Sequence, residues 1–191
     1  MNTTSPPASL PWSGDAEADR LIASDPNALL IGFVLDQQVT VQKAFSGPRE
    51  LQRRLGHLDP AKIAATDPAK LEAVFKEKPA IHRFPGSMAT RVQALCTFIA
   101  DRYDGDGGRV WTEATSGADL KQRLGELPGI GDMKVRSLIA TLVKQFGVQP
   151  EGYADVLPTH PTLGDVDSAE ALASYQAGKR AAKAAKRAAA S

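Results

Sequence analysis

At 191 residues, 42% of them apolar and 24% charged, the chain is long enough for one compact domain or two small lobes sharing a core. Its composition argues against disorder. A single cysteine, Cys96, excludes an internal disulfide and any four-thiolate zinc or iron–sulfur site. The formal net charge of +1 is unevenly placed. Lys179, Arg180, Lys183, Lys186 and Arg187 fall in residues 178–191 with no acid among them, which leaves the rest of the chain net acidic. Without a broad basic field, any nucleic-acid contact must come from a local site, helped by the tail.

In chain order, residues 1–14 read as a flexible arm with Trp12 tucked onto the body. The run MNTTSPPASLPWSGD lacks the basic start and apolar core of a secretory signal. No stretch reaches the ~18 continuous apolar residues of a spanning helix. A cytoplasmic, nucleoid-associated protein without a membrane anchor is expected. Ser13 or Asp15 caps a short helix through Leu21 and Ile22. Asp25-Pro26 then opens a helix from Asn27 to about Phe45, with the aspartate at the N-cap and proline at the first helical position. Its LLIGFVL run is apolar all round, the mark of a central helix.

Asp59-Pro60 and Asp67-Pro68 open two short helices by the same logic. KEKPAIHRFPGS is a loop. A helix from about Ser87 to Tyr103 buries Met88, Val92, Leu95, Cys96 and Ile99 along one stripe. Ala118 to Leu124 forms a short helix, and LPGIG leads into Asp132–Phe146, where apolar residues recur at three and four. GVQPEGYADVLPTHPTLGDVD is irregular, and residues 168–191 form an Ala/Lys-rich helix or tail. No strand shows convincing alternation. The expectation is all-α, with one helical domain over 15–167 and a helix-hairpin-helix at about 119–146.

The hairpin Leu127-Pro128-Gly129-Ile130-Gly131 is the most informative segment. Pro128 fixes one backbone angle, and two glycines one residue apart permit a tight reversal anchored by Ile130. Amides at the turn and at the start of the next helix are left without intrahelical partners, and such a site suits a phosphate. Lys134 and Arg136 add charge nearby. A plain αα-corner, with glycines serving only close packing, remains the alternative from these residues alone.

Read with its neighbours, the segment resembles the helix-hairpin-helix (HhH-GPD) DNA glycosylase superfamily. LLIGFVLDQQVTVQKAF is similar to the family's early helix, where an apolar run ends in a Gln-containing turn. MATRVQALCTFIADRYDGD is similar to the helix before the hairpin unit. The likeness covers roughly residues 28–155, to a small bacterial branch without the iron–sulfur cluster. It implies two helical lobes around a cleft, a monomer, and double-stranded DNA containing a base lesion as partner. The damaged nucleotide would be flipped into a pocket and its N-glycosidic bond hydrolysed. A non-catalytic DNA-binding protein on the same hairpin is the alternative.

The resemblance also implies site residues. The family's catalytic aspartate lies shortly beyond the hairpin's second helix, which points to Asp155, with Glu151 in reserve. A carboxylate there stabilises the positive charge that develops on the sugar, and neither metal nor cofactor is required. Backbone contacts fall to Gly129, Ile130, Gly131, Lys134 and Arg136, filling of the gap left by the flipped base to Gln38, and the base pocket to His82 and Phe84. Asp36 and Gln37 are weaker candidates than Gln38 for filling that gap. Relatives that also cut the strand place a lysine two residues after the final hairpin glycine, as a Schiff-base nucleophile. Met133 occupies that position here, so base removal without strand cleavage is expected.

Overall fold

The computed structural model describes residues 6–189, and among them it contains ten α-helices, two 3₁₀ turns and no strand. Carboxylate caps set most of the early boundaries. Asp15 accepts from the amides of Glu17 and Ala18 to open α1 (Ala16–Ser24). Asp25 does the same for α2 (Pro26–Leu35). Asp59 and Asp67 cap α4 (Pro60–Ala65) and α5 (Pro68–Lys76), each followed by proline at the first position. A side-chain oxygen satisfying one orphan amide contributes about 1 kcal/mol per cap.

The apolar helix α2 is the centre of the molecule, buried from Ala28 to Leu35. It stops earlier than its hydrophobicity suggests. The expected single helix to Phe45 is broken at residues 36–40, and α3 (Val41–Leu55) starts afresh with Thr40 at its N-cap. Gln38 makes the break with φ of 56°, a left-handed backbone unusual for a residue with a Cβ. Helix α3 then runs on through Pro48, past the expected end at about Phe45. Gly47 is the point of closest approach to α2: a Cβ there would stand 2.4 Å from Leu35 Cδ1.

Helix α6 (Pro85–Tyr103) packs on α4, α5 and α2, and the short α7 (Arg109–Thr112) leads into α8 (Gly117–Glu126) and α9 (Asp132–Phe146). Beyond α9 come the 3₁₀ turns Tyr153–Val156 and Leu163–Asp165, then α10 (Ala169–Ala189). The second turn is pressed onto α9, where a Cβ on Gly164 would meet the Ala140 carbonyl carbon at 2.4 Å. One apolar core runs from Leu10 to Leu172 through all these layers.

The arm expected over residues 1–14 is shorter than the composition implies. Residues 1–5 lie outside the described residues, but Leu10 and Trp12 are fully buried. Trp12 stacks edge-on against Phe45 and Phe33. Its indole Nε1 donates to the Val166 carbonyl at 3.1 Å, fastening the start of the chain to the segment before α10. A large ring with a satisfied polar edge outweighs the Pro/Ser character around it. No helix among the described residues is long and apolar enough to cross a membrane.

Candidate nucleic-acid interface

The hairpin between α8 and α9 is a tight turn in which the Ile130 amide donates to the Leu127 carbonyl at 3.1 Å. Gly129 has φ of 81°, which suits the position after proline in a turn of this kind. A side chain there would also press on α2, since a Cβ would come within 3.3 Å of Val34 Cγ2. Ile130 is 5% exposed and anchors the turn in the core.

These contacts divide the five expected backbone-binding residues. Gly129 and Gly131 are exposed, and no described residue accepts from either amide. Gly131 caps α9 with no side-chain hydrogen bond, so the amides of Asp132 and Met133 also have no acceptor. Four donors on exposed residues are therefore without an acceptor among the described residues, at the positive end of a 15-residue helix. Ile130 does not belong with them, because its side chain is buried and its amide closes the turn.

Lys134 differs from expectation as well. Its Nζ donates to the carbonyls of Val34 at 3.1 Å and Gly129 at 3.2 Å, which ties the hairpin to the end of α2. Burial lowers its pKa, Asp36 opposes that shift, and Arg91 adds to it. The ammonium is a stitch between two elements rather than an outstretched phosphate contact. Arg136 is exposed and makes no ion pair with a described residue. Asp132, at the first helical position, partly offsets the local positive field.

The 36–40 break lies against this turn. Gln38 is exposed and its side chain makes no hydrogen bond with a described residue. Gln37 is held more firmly: its Oε1 accepts from Arg91 at 2.7 Å, and its carbonyl lies 3.0 Å from His82 Nε2. His82 Nδ1 accepts from the Phe84 amide at 3.0 Å. That fixes the tautomer, with Nε2 as the donor to Gln37. With both ring nitrogens engaged and only 1% of the residue exposed, His82 supports the loop and does not line an open base pocket. Burial also lowers its pKa and favours the neutral ring. Phe84 is 40% exposed and carries the Arg83 guanidinium 4.8 Å above its ring. Met133, beside the open amides, is 69% exposed.

Asp155 lies elsewhere. It sits exposed in the turn Tyr153–Val156, with its amide bonded to the Gly152 carbonyl at 3.2 Å. That turn packs on the first residue of α8, where a Cβ on Gly117 would meet the Gly152 carbonyl oxygen at 2.6 Å. Helix α8 has ten residues, which puts its start about 15 Å from the hairpin at 1.5 Å per residue. Asp155 is thus at the opposite end of the helical pair from the open amides. The physical reason is the chain after α9, which first crosses back to α8 through the Gly117 amide and Glu151 carbonyl at 2.8 Å. Glu151, the reserve candidate, is fixed at that same end.

Another carboxylate, Asp36, caps the C-terminal end of α2, two residues beyond the Val34 carbonyl that Lys134 holds. Burial pushes its pKa up, while Lys179 of α10 and Lys134 of α9 pull it down. Tyr175 of α10 feels the Asp36 charge as well. Nothing local distinguishes Asp36 in the sequence; its electrostatic setting depends on α9 and α10, about 100 and 140 residues further along the chain. Cys96 is no nucleophile: it is buried, and its thiol is pushed up to about 12. No cluster of three metal-ligating side chains occurs among the described residues.

A family model described as HhH-GPD superfamily base excision DNA repair protein matches residues 31–188. That span begins within α2 and extends nearly to the end of α10. Comparison with curated proteins and with solved structures gave no match.

Proposed function

The chain belongs to the HhH-GPD superfamily of base excision DNA repair proteins, and within it we propose a monofunctional DNA glycosylase. It acts as a monomer on double-stranded DNA containing a damaged or mispaired base, and hydrolyses the N-glycosidic bond of that base. The observation that carries this reading is the open turn: the amides of Gly129, Gly131, Asp132 and Met133 belong to exposed residues and lack acceptors among the described residues. A DNA phosphate supplies the missing acceptor, and the glycines let the strand approach without a Cβ in the way.

The strained, exposed Gln38 supports a role as the side chain that enters the gap behind a flipped nucleotide. Its amide can donate to and accept from an orphaned base edge. Exposed Phe84 offers a ring to a base from the neighbouring loop.

Base removal without strand cleavage follows from two side chains. Met133, at the position of the lyase lysine in the resemblance, has a thioether that forms no Schiff base. Lys134, one residue on, has its ammonium on two backbone carbonyls. The test is a panel of duplexes, each with one defined lesion, assayed separately for base release and strand scission. We expect release from at least one duplex, leaving an intact abasic strand, and no covalent adduct on borohydride treatment. Trapping of an adduct would contradict the monofunctional reading. Failure to bind any damaged duplex more tightly than undamaged DNA would contradict the glycosylase reading.

A further inference from the structure

Helix α10 changes its surroundings partway along. Its first part packs on the body: Leu172 is buried, Tyr175 and Gln176 are half-buried, and the side-chain amides of Gln176 and Gln42 of α3 bond to each other at 2.8 and 3.4 Å. From residue 177 to 189 every residue is exposed, so the helix runs on for about 20 Å past its packed part at 1.5 Å per residue.

The charges of this second part share one face. At 100° per residue, Lys179, Arg180, Lys183, Lys186 and Arg187 fall within about 120° of arc. That arc is centred on the side that carries Leu172 and Gln176. The face that packs in the first part is therefore the basic face of the second. No acid follows Glu170 in the chain, and Arg180, Lys183 and Lys186 join no ion pair with a described residue. The arrangement costs the helix stability, because like charges three and four residues apart repel, as Lys183 does with Lys179, Arg180, Lys186 and Arg187. Cations in the last turn offset the negative helix end, which accounts for Lys186 and Arg187 but not for the three before them.

Position points to the partner. Gln42, which holds Gln176, lies in the first turn of α3, directly after the 36–40 loop. Lys179 of α10 and Lys134 of α9 both act on Asp36 of that loop, and Lys134 Nζ is on the Gly129 carbonyl of the hairpin. One loop thus adjoins both the hairpin helix and the start of the basic face. Outside residues 178–191 the chain is net acidic and repels a polyanion. A duplex carries one charge per about 1.7 Å of axis and extends well beyond the few phosphates that four amides can hold.

We propose that the basic face of α10 is a second DNA interface, which grips the phosphate backbone of the duplex beside the stretch held at the hairpin, irrespective of sequence or damage. The hairpin fixes position, and the α10 face supplies most of the counterion release. This inference rests on the DNA-repair reading above and adds the element that gives affinity for undamaged duplex.

The test uses the full-length protein and two duplexes, one undamaged and one with a single tetrahydrofuran abasic site, with affinity measured over a salt series. The triple variant Arg180→Gln, Lys183→Gln, Lys186→Gln is expected to bind both about tenfold or more weakly at about 0.1 M salt, and the slope of log affinity against log salt should fall by about 2–3. The ratio between the two duplexes should not change. An equal charge loss on α4 and α5, by Lys62→Gln, Lys70→Gln, Lys76→Gln, should alter the slope by less than about 1. The face itself is tested at constant charge and composition: Lys183→Ala, Lys186→Ala, Ala181→Lys, Ala185→Lys turns two cations to the opposite side of the helix and should lower the slope by about 2. Circular dichroism and thermal melting check folding of each variant. An unchanged slope in the first variant, an equal loss in the α4–α5 control, or a retained slope with the charges turned would overturn the proposal and leave the DNA-repair reading in place. Tighter binding of the wild type to vesicles of equal phosphatidylserine and phosphatidylcholine than to either duplex would overturn it in favour of a membrane surface. If the wild type binds neither duplex, the DNA-repair reading itself fails, and this inference with it.

Discussion

The two ends of the α8–α9 pair are built from the same helices and finished in opposite ways. At the far end the helix termini are capped. Ser116 Oγ accepts from the Asp119 amide at 3.1 Å to cap α8. Asp119 in turn accepts from the Thr115 amide at 2.9 Å and from Arg123 at 3.0 Å. Gly147, with φ of 66°, closes α9, and the Val148 amide reaches the Leu142 carbonyl at 2.9 Å. At the hairpin end α9 begins on a bare glycine with no cap, and a half-buried carboxylate lies nearby without a partner. The closed end serves the fold. The open end leaves its hydrogen-bonding capacity for something outside the chain.

Substitutions at matched glycines break this comparison most sharply. Gly117→Ala at the closed end forces a Cβ against the Gly152 carbonyl at 2.6 Å and the Tyr153 Cα at 2.8 Å. It should destabilise the protein by about 3 kcal/mol in a denaturant titration, while the folded fraction keeps its affinity for abasic DNA. Gly131→Leu at the open end meets nothing within 4 Å and has φ of −87°. Its stability should change by less than about 1 kcal/mol, whereas affinity for the same duplex should fall about tenfold or more. Reversal of this pattern would mean that the turn is structural and the far end binds.

Smaller effects sharpen the picture. Arg136→Ala removes a cation that no described residue pairs. Binding should weaken several-fold, and the slope of log affinity against log salt should decrease by about 1. An unchanged slope would place Arg136 off the DNA path. The smallest effect is on stability. Because the folded-state pKa of Asp36 is raised, ionisation is penalised in the native state. Its contribution is fully present below the unfolded value of about 3.9 and is lost as pH rises through the raised one. Asp36→Asn should therefore melt about 1–2 °C above wild type at pH 8, with the advantage shrinking as pH falls towards 4. A variant less stable at every pH would mean that the carboxylate has a structural partner after all.

Much of the fold was legible because its signals are local. The Asp-Pro pairs mark three helix starts, the all-round apolar run marks central α2, and the period of α9 gives both its limits as observed. The errors arose where a distant contact overrides a local preference. The helix expected to end at about Phe45 continues as α3 to Leu55, through Gly47-Pro48, with α2 packed against that glycine. The polar run Asp36-Gln37-Gln38 reads as helix by momentum and is a turn, although the family resemblance did signal a Gln-containing turn there. Trp12 is expected against the body, and Val166 with two phenylalanines holds it there, but the burial of Leu10 beside it has no signal in the Pro/Ser-rich run.

The site divides along the same line. The hairpin could be read from five residues because its chemistry lies in the backbone. His82 and Lys134 carry suitable groups, but their partners, the Gln37, Val34 and Gly129 carbonyls, become visible only in three dimensions. Asp155 follows from the resemblance and its spacing after the hairpin, and the path of the chain back to Gly117 sets it at the other end of the α8–α9 pair. Asp36 has no signature of its own; the two lysines that frame it come from α9 and α10.

The central claim concerns four amides, and amide NMR tests it directly. Titrating the labelled protein with a tetrahydrofuran abasic duplex should shift the Gly129, Gly131, Asp132 and Met133 resonances in proportion to bound DNA, while Gly117 and Gly152 stay in place. Saturating DNA that leaves those four unmoved, or that shifts the Gly117 end instead, would contradict the account.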